Sequence, residues 1–175
     1  MLVGVPKEIK TREFRVGLVP SSVAELVHRG HQVLVETNAG KQAFFTDRDY
    51  SEAGAEITYS PEKVYEADII LKVTPPSKKE IELMKHKQTL FSALQLTVQP
   101  EDTLRELMRK KVTAIAWDYI ADEDRVLPIV RSMGEIAGTS AVLIAAEYLM
   151  NQKGQGIMLG GCLLYTSDAA DDLLC

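Results

Sequence analysis

Short apolar runs alternate with amphipathic stretches from the first residue of the chain. Residues 2–5 (LVGV) predict a strand, and after a polar loop the segment SSVAELVHRG predicts a helix. In it Ser22 and Glu25 have capping-box spacing and Gly30 supplies the stop. Residues 32–36 (QVLVE) predict the next strand. Thr46 precedes a short helix ending near Gly54, and Ser60-Pro61 opens another, with proline where its missing N–H costs nothing. The continuous apolarity of residues 68–73 (DIILKV) predicts a strand buried on both faces. Ser77 and Glu80 form a second capping-box pair, and residues 89–94 predict a strand. Residues 100–111 predict a helix with Leu104, Leu107 and Met108 on one face, and residues 113–117 a fifth strand. From Ser132 to Met150 runs the longest helical pattern, rich in alanine. Strands alternating with helices predict an α/β fold: a doubly wound, mostly parallel sheet followed by a long connecting helix.

Composition narrows the classes. The 175 residues allow one domain with a sizeable core and the start of a second. No apolar run is expected to reach the roughly 20 residues that span a bilayer. The N-terminus lacks a basic region followed by an apolar core, so no membrane role is expected and the cytoplasm is the expected location. Net charge is −5, and Asp168, Asp171 and Asp172 carry −3 of it, leaving a nearly neutral body that argues against nucleic acid as partner. Both cysteines, Cys162 and Cys175, sit in the same final stretch. Residues 1–161 therefore exclude thiol catalysis, disulfides and cysteine-ligated zinc together.

Ligands in open parallel sheets bind beyond the carboxyl ends of the strands. Arg15, in the loop after the first strand, and Lys72, at the end of DIILK, both stand there. A guanidinium fork suits a carboxylate, and a lysine withdrawn from water can serve in proton transfer, so the pair suggests a small organic acid. The alternative leaves Arg15 as a solvated loop charge and Lys72 snorkelling to water. Gly154, Gly156 and Gly160 follow a helix with the wrong spacing for a dinucleotide fingerprint, and NAGKQ (38–42) is not a P-loop. His28, His31 and His86 lack metal-ligand spacing, and no metal site is expected. Trp117 and Phe91 are expected in the core.

Residues 4–20 (GVPKEIKTREFRVGLVP), 67–76 (ADIILKVTPP) and 132–138 (SMGEIAG) together resemble the alanine dehydrogenase and pyridine nucleotide transhydrogenase family. Gly4, Pro6, Glu8, Glu13, Arg15, Val16 and Pro20 match the opening signature; Arg12, Gly17 and Val19 depart from the usual Asn, Ala and Thr. Met133, Glu135, Ala137 and Gly138 are more similar to the dehydrogenases than to the transhydrogenase α subunits. The resemblance implies a discontinuous substrate domain around an inserted Rossmann domain, a homo-hexamer, and NAD-linked oxidative deamination of L-alanine to pyruvate and ammonium. It also implies that Arg15 clamps the substrate carboxylate, that Lys72 contacts substrate and takes part in proton transfer, and that Met133, with Gly134 beside it in place of a serine, packs against the nicotinamide cofactor. One departure stands out: LFSALQL (90–96) places Gln95 at the family's catalytic histidine and Ala93 at the adjacent tyrosine. Gln95 can hydrogen-bond a keto oxygen but exchanges no proton near neutral pH, which leaves protons to Lys72 and a water.

The expected organisation is an incomplete Rossmann/flavodoxin-like substrate domain over 1–130, a connecting helix and linker over 131–161 leading to an NAD-binding domain, and a non-native tail over 162–175. CLLYTS can be encoded by TGT CTC TTA TAC ACA TCT, which is similar to a transposase-adapter sequence; the alternative is a native acidic tail. The chain by itself is expected to be inactive, with the NAD site mostly in the domain it lacks. Two other functions stay open: the N-terminal part of a transhydrogenase α subunit, and a non-enzymatic module that binds small carboxylates.

Overall fold

The computed structural model describes residues 1–150 together with Gly154 and Gly156. The expected tail over 162–175, and Gly160, lie outside the described residues. The chain divides into two compact units, Met1–Ile120 and Ala121–Cys175.

In the first unit β1 (Leu2–Val5), α1 (Pro20–His28), β2 (Gln32–Glu36), α2 (Asp47–Glu52), β3 (Glu56–Thr58), α3 (Pro61–Val64), β4 (Ile69–Leu71), α4 (Lys78–Leu83), β5 (Thr89–Ser92), α5 (Glu101–Arg109) and β6 (Thr113–Ala116) follow in order. The six strands form one sheet in the order β3-β2-β1-β4-β5-β6. Every neighbouring pair is parallel. This is the doubly wound order in which the chain runs outward on one side of β1, returns, and continues outward from β4. The reversal opens a crevice at the carboxyl ends of β1 and β4.

Period-two alternation divides the core between the two faces. Val3 and Val5 of β1 and Val33 and Val35 of β2 pack with Val23 of α1 and Tyr50 of α2. Ile70 of β4 and Leu90 of β5 pack with Tyr65, with Ile81 and Met84 around α4, and with Leu107 of α5. Gly4 is needed on that second face, because a Cβ there would lie 2.5 Å from the Val64 carbonyl oxygen. The Tyr50 hydroxyl donates to the Leu18 carbonyl at 2.8 Å, tying α2 to the loop before α1. Its burial pushes the phenol up to about 12.

Local signals placed most helix starts. Ser77 and Glu80 make the expected reciprocal capping box, and Thr46 makes another with Asp49. Ser60 caps α3 with Pro61 in the first turn. The Ser22–Glu25 pair does not cap α1: the helix starts earlier, with Val19 at the N-cap and Pro20 in the first turn, where proline's fixed φ favours initiation. Strand β3 is an addition to the expected five, since three residues at a sheet edge are too short to show alternation. On α5 the buried stripe is Thr103 and Leu107, while Met108 is 75% exposed. Trp117 is buried as expected, but in a 3₁₀ turn (Trp117–Tyr119) after β6, and Phe91 is only half-buried.

In the second unit α6 spans Pro128–Leu149, four residues earlier at its start than the expected Ser132, again from a proline in the first turn. Contrary to expectation, this 22-residue helix is by length and composition apolar enough to cross a membrane, although a core helix of a globular protein passes the same test. It carries an Arg131–Glu135 ion pair at 3.0 Å.

Gly4→Ala should therefore lower stability by about 1–3 kcal/mol through overpacking. Gly134→Ala, in α6 with nothing within 4 Å of the added carbon, should be neutral or stabilising by about 0.5–1 kcal/mol. Thermal melts of the two variants check this opposition; equal melting temperatures would refute the close approach of α3 to β1.

Candidate functional site

At the reversal point the first connection to consider is the one from β1 to α1. In a dinucleotide site with this strand order, that turn is short, glycine-rich and delivers phosphate to a helix N-terminus. Here residues 6–19 form a long connection (PKEIKTREFRVGLV), and Val19 and Pro20 occupy the helix start. The residues at this turn do not fit a dinucleotide. They bring charged side chains to the crevice.

Lys72 follows β4 directly and extends its ladder, its N–H donating to the Phe91 carbonyl at 2.9 Å. Its side chain is 0% exposed. It therefore does not snorkel; the ammonium is neutralised inside the protein. Nζ donates to Glu80 Oε1 at 2.7 Å and to Glu8 Oε2 at 3.2 Å. Each carboxylate is held in turn. Glu8 accepts from the Val73 N–H at 2.7 Å and from the Thr74 hydroxyl at 2.5 Å. Glu80 accepts from the Tyr65 hydroxyl at 2.9 Å and the Ser77 N–H at 2.8 Å. Burial pushes the Glu80 carboxyl up, but Lys72 and the Ser77 donors outweigh it and hold the group below the usual carboxylate range. Burial also pushes Tyr65 upward, reinforced by the Glu80 charge. Among the described residues no buried side-chain polar atom is left without a partner.

Arg15 lies on the β1–α1 connection with its side chain 55% exposed. Its guanidinium forks onto Glu13, Nε to Oε1 and Nη2 to Oε2 each at 2.7 Å. The pairing holds Glu13 low and raises Arg15, which also feels the Glu8 charge. Lys72 contacts Glu8, whereas Arg15 is bound to Glu13 and lines a pocket together with both glutamates. This pocket of 190 Å³ is lined by Lys7, Lys10, Arg12 and Arg15 against Glu8 and Glu13, with Asn38, Ala39 and Gln42 from beyond β2. Its excess of cationic side chains and small volume suit an anion of a few heavy atoms. A second hollow of 430 Å³ lies on the other side of the 9–11 segment, between it and residues 74–77. Glu36, at the end of β2, accepts the Lys7 N–H at 2.9 Å, and burial raises its carboxyl above the usual range.

Gln95 reaches the same end of the sheet two residues past Ala93, whose N–H donates to the Val73 carbonyl at 3.2 Å. It is exposed, with φ +47°. Both oxygens of Asp118 hold this turn, accepting from the Leu94 N–H at 3.0 Å and the Gln95 N–H at 2.9 Å. Met133 is half-buried and Gly134 exposed on α6, in the second unit. Among the described residues no cluster of potential metal ligands occurs.

Sequence reasoning missed Glu8, Glu80, Tyr65, Thr74 and Asp118 as site residues. Glu8 was visible as a signature position and Glu80 as a helix cap, but neither signal discloses a buried lysine as its partner.

Comparison with known proteins agrees with this fold. Residues 4–137 match the family described as alanine dehydrogenase/PNT, N-terminal domain. The chain is 44% identical over 162 residues to alanine dehydrogenase 2 of Staphylococcus aureus (strain USA300), covering 92% of this chain and 43% of that protein. Alanine dehydrogenase of Methanococcus maripaludis is 44% identical over 163 residues, with the same coverage of 92% and 43%. The chain thus spans less than half the length of these relatives. Among solved structures, an L-alanine dehydrogenase superposes with TM-score 0.87 at 43% identity, over 92% of this chain and 45% of that one. A transhydrogenase from Sinorhizobium meliloti superposes with TM-score 0.77 at 27% identity, over 85% of this chain and 45% of that one. With a parallel sheet of this order, a cationic crevice in place of a dinucleotide turn, and a family match across residues 4–137, the chain belongs to the alanine dehydrogenase/PNT N-terminal domain family.

Proposed function

We propose that this chain is the substrate-binding part of an NAD-linked alanine dehydrogenase, which converts L-alanine and water to pyruvate and ammonium with NAD as oxidant. The observation that carries the reading is the cationic pocket at the carboxyl ends of β1 and β2, containing Arg15 and bordered by the Glu8 that contacts Lys72. In this reading Arg15 exchanges its Glu13 partner for the substrate carboxylate, a fork-to-fork replacement that conserves hydrogen bonds. Arg15 is the exposed member of the pair, whereas the Glu13 side chain is 10% exposed and keeps the Arg15 N–H at 3.0 Å as a donor when the guanidinium turns away. Lys72 spends two of its three donors on Glu80 and Glu8. The third donor remains for a keto oxygen, and Glu8, at the longer distance of 3.2 Å, is the partner that can yield if the ammonium must turn toward it. Gln95 donates its carboxamide N–H to the keto oxygen without moving a proton, and Lys72 with a water carries proton transfer.

The finer assignments belong to the same proposal. NAD is held mainly by the part of such a protein outside these residues, with Met133 and Gly134 of α6 toward the nicotinamide. The organisation is a substrate domain over 1–130 and a connecting segment over 131–161, a boundary ten residues beyond the break between the two units at Ile120. The complete protein is a cytoplasmic homo-hexamer. Similarity to the dehydrogenases supports this over the transhydrogenase reading, through both the greater identity and the Met133–Gly138 segment. A carboxylate-binding module without enzymatic activity would share the Arg15 pocket, and turnover separates the two.

Three outcomes are expected. The full-length protein should form NADH from L-alanine and NAD, while the 175-residue chain should not; NADH formation by the isolated chain would refute the division of labour. Lys72→Met in the full-length protein should cut turnover by about 10²- to 10⁴-fold, the usual contribution of a positioned proton-transfer group. Unchanged turnover in that variant would sink the role given to Lys72. Arg15→Ala should weaken pyruvate binding by roughly 10- to 100-fold, as expected for loss of a charge-assisted hydrogen bond; calorimetry on the 175-residue chain measures it.

A further inference from the structure

Lys72 could reach several positions with its four-carbon stem, so something must fix its ammonium for it to meet a substrate reproducibly. The two carboxylates that touch it are unequally placed to do so. Glu8 lies on the loop after β1, meets Nζ at the longer 3.2 Å, and borders the Arg15 pocket. Glu80 meets Nζ at 2.7 Å and sits at the start of α4. Its side chain is 8% exposed. Its other oxygen accepts the Ser77 N–H in the capping box, and the Tyr65 hydroxyl donates to the same Oε1 that receives Lys72. Tyr65 is itself 2% exposed, so its ring cannot swing away from Glu80 without disturbing the core. Glu80 is thereby fixed from two directions, by the Ser77 N–H and the Tyr65 hydroxyl, and its one remaining task is to receive an ammonium.

We propose that Glu80 is a positioning residue, which, locked by Tyr65 and the α4 cap, holds the Lys72 ammonium at the substrate crevice while Glu8 is the exchangeable partner. The helix cap therefore has a second role. A capping carboxylate needs neither a buried tyrosine nor a lysine, and a glutamate that only neutralised Lys72 would not need to terminate a helix. The functional meaning of this arrangement rests on the reading of Lys72 as a substrate contact.

The test uses the 175-residue chain with Glu80→Gln and Tyr65→Phe. Tyr65→Phe leaves both the cap and the charge of Glu80 in place, so it carries the test if Glu80→Gln fails to fold. Acetylation by an N-hydroxysuccinimide ester, followed residue by residue by mass spectrometry, compares Lys72 with Lys63, whose side chain is 50% exposed. Lys72 should react at least about tenfold more slowly than Lys63 in the unmodified chain, because reaction requires local opening. Relative to Lys63, its rate should rise severalfold in Tyr65→Phe and further in Glu80→Gln, with little change in melting temperature for Tyr65→Phe. Pyruvate affinity measured by calorimetry should fall in the same order. A Lys72 rate unchanged in the folded variants overturns the proposal, and so does a raised rate with unchanged pyruvate affinity. If the unmodified chain binds no pyruvate, the proposed function fails, while the labelling rates still decide whether Glu80 holds Lys72.

Discussion

An ammonium group removed from water must be neutralised by the protein, and the crevice is organised around that demand at Lys72. The cost of burying one charge is several kcal/mol unless partners are in place. Here Glu8 and Glu80 supply them, and each carboxylate recruits further donors: the backbone after β4, the Thr74 hydroxyl, the Tyr65 hydroxyl and the first turn of α4. The loop after β1, the end of β4 and the start of α4 are thus bound to one another through a single cation. The apolar clusters on the two sheet faces determine that the sheet forms; this network determines how these three segments meet at its end.

The strand order explains why such a network lies where it does. Reversal between β1 and β4 leaves their carboxyl ends adjacent with their following loops diverging, which is where doubly wound sheets bind ligands. In this chain the β1–α1 connection has exchanged a glycine-rich phosphate cradle for a run of charges. The crevice is therefore suited to a small anion, although its topology is one that elsewhere holds dinucleotides. Arg15 at the open side and Lys72 at the closed side differ accordingly. The first is half exposed and can exchange partners, whereas the second is enclosed and held.

Much of the fold was legible because its signals are local. Alternating branched residues marked β1 and β2, a continuous apolar run marked β4, and the pairs Ser77–Glu80 and Ser60–Pro61 marked helix starts through hydrogen bonds spanning three residues. Where two local signals competed, at Ser22 and Pro20, proline's preset backbone prevailed. Strand β3 escaped notice because its pairing with β2, rather than any periodicity of its own, makes it a strand. Arg15 and Lys72 were legible as residues near strand ends, and Gln95 through the family resemblance, but their surroundings were not. Glu8 lies 64 residues from Lys72 along the chain, and Asp118 lies 23 from the turn it holds at Gln95. No spacing rule connects such positions.

The amino-acid sequence by itself determined the alternation of strands and helices, the parallel sheet, and the charged character of the connection after β1, because these follow from side-chain type and near-neighbour spacing. Only the tertiary structure decided that Lys72 is enclosed rather than solvated, that Glu80 serves both a helix and a lysine, and that Arg15 is already engaged by Glu13. Burial and ion pairing depend on which distant segments arrive at the same place, and that is settled by the packing of the whole sheet.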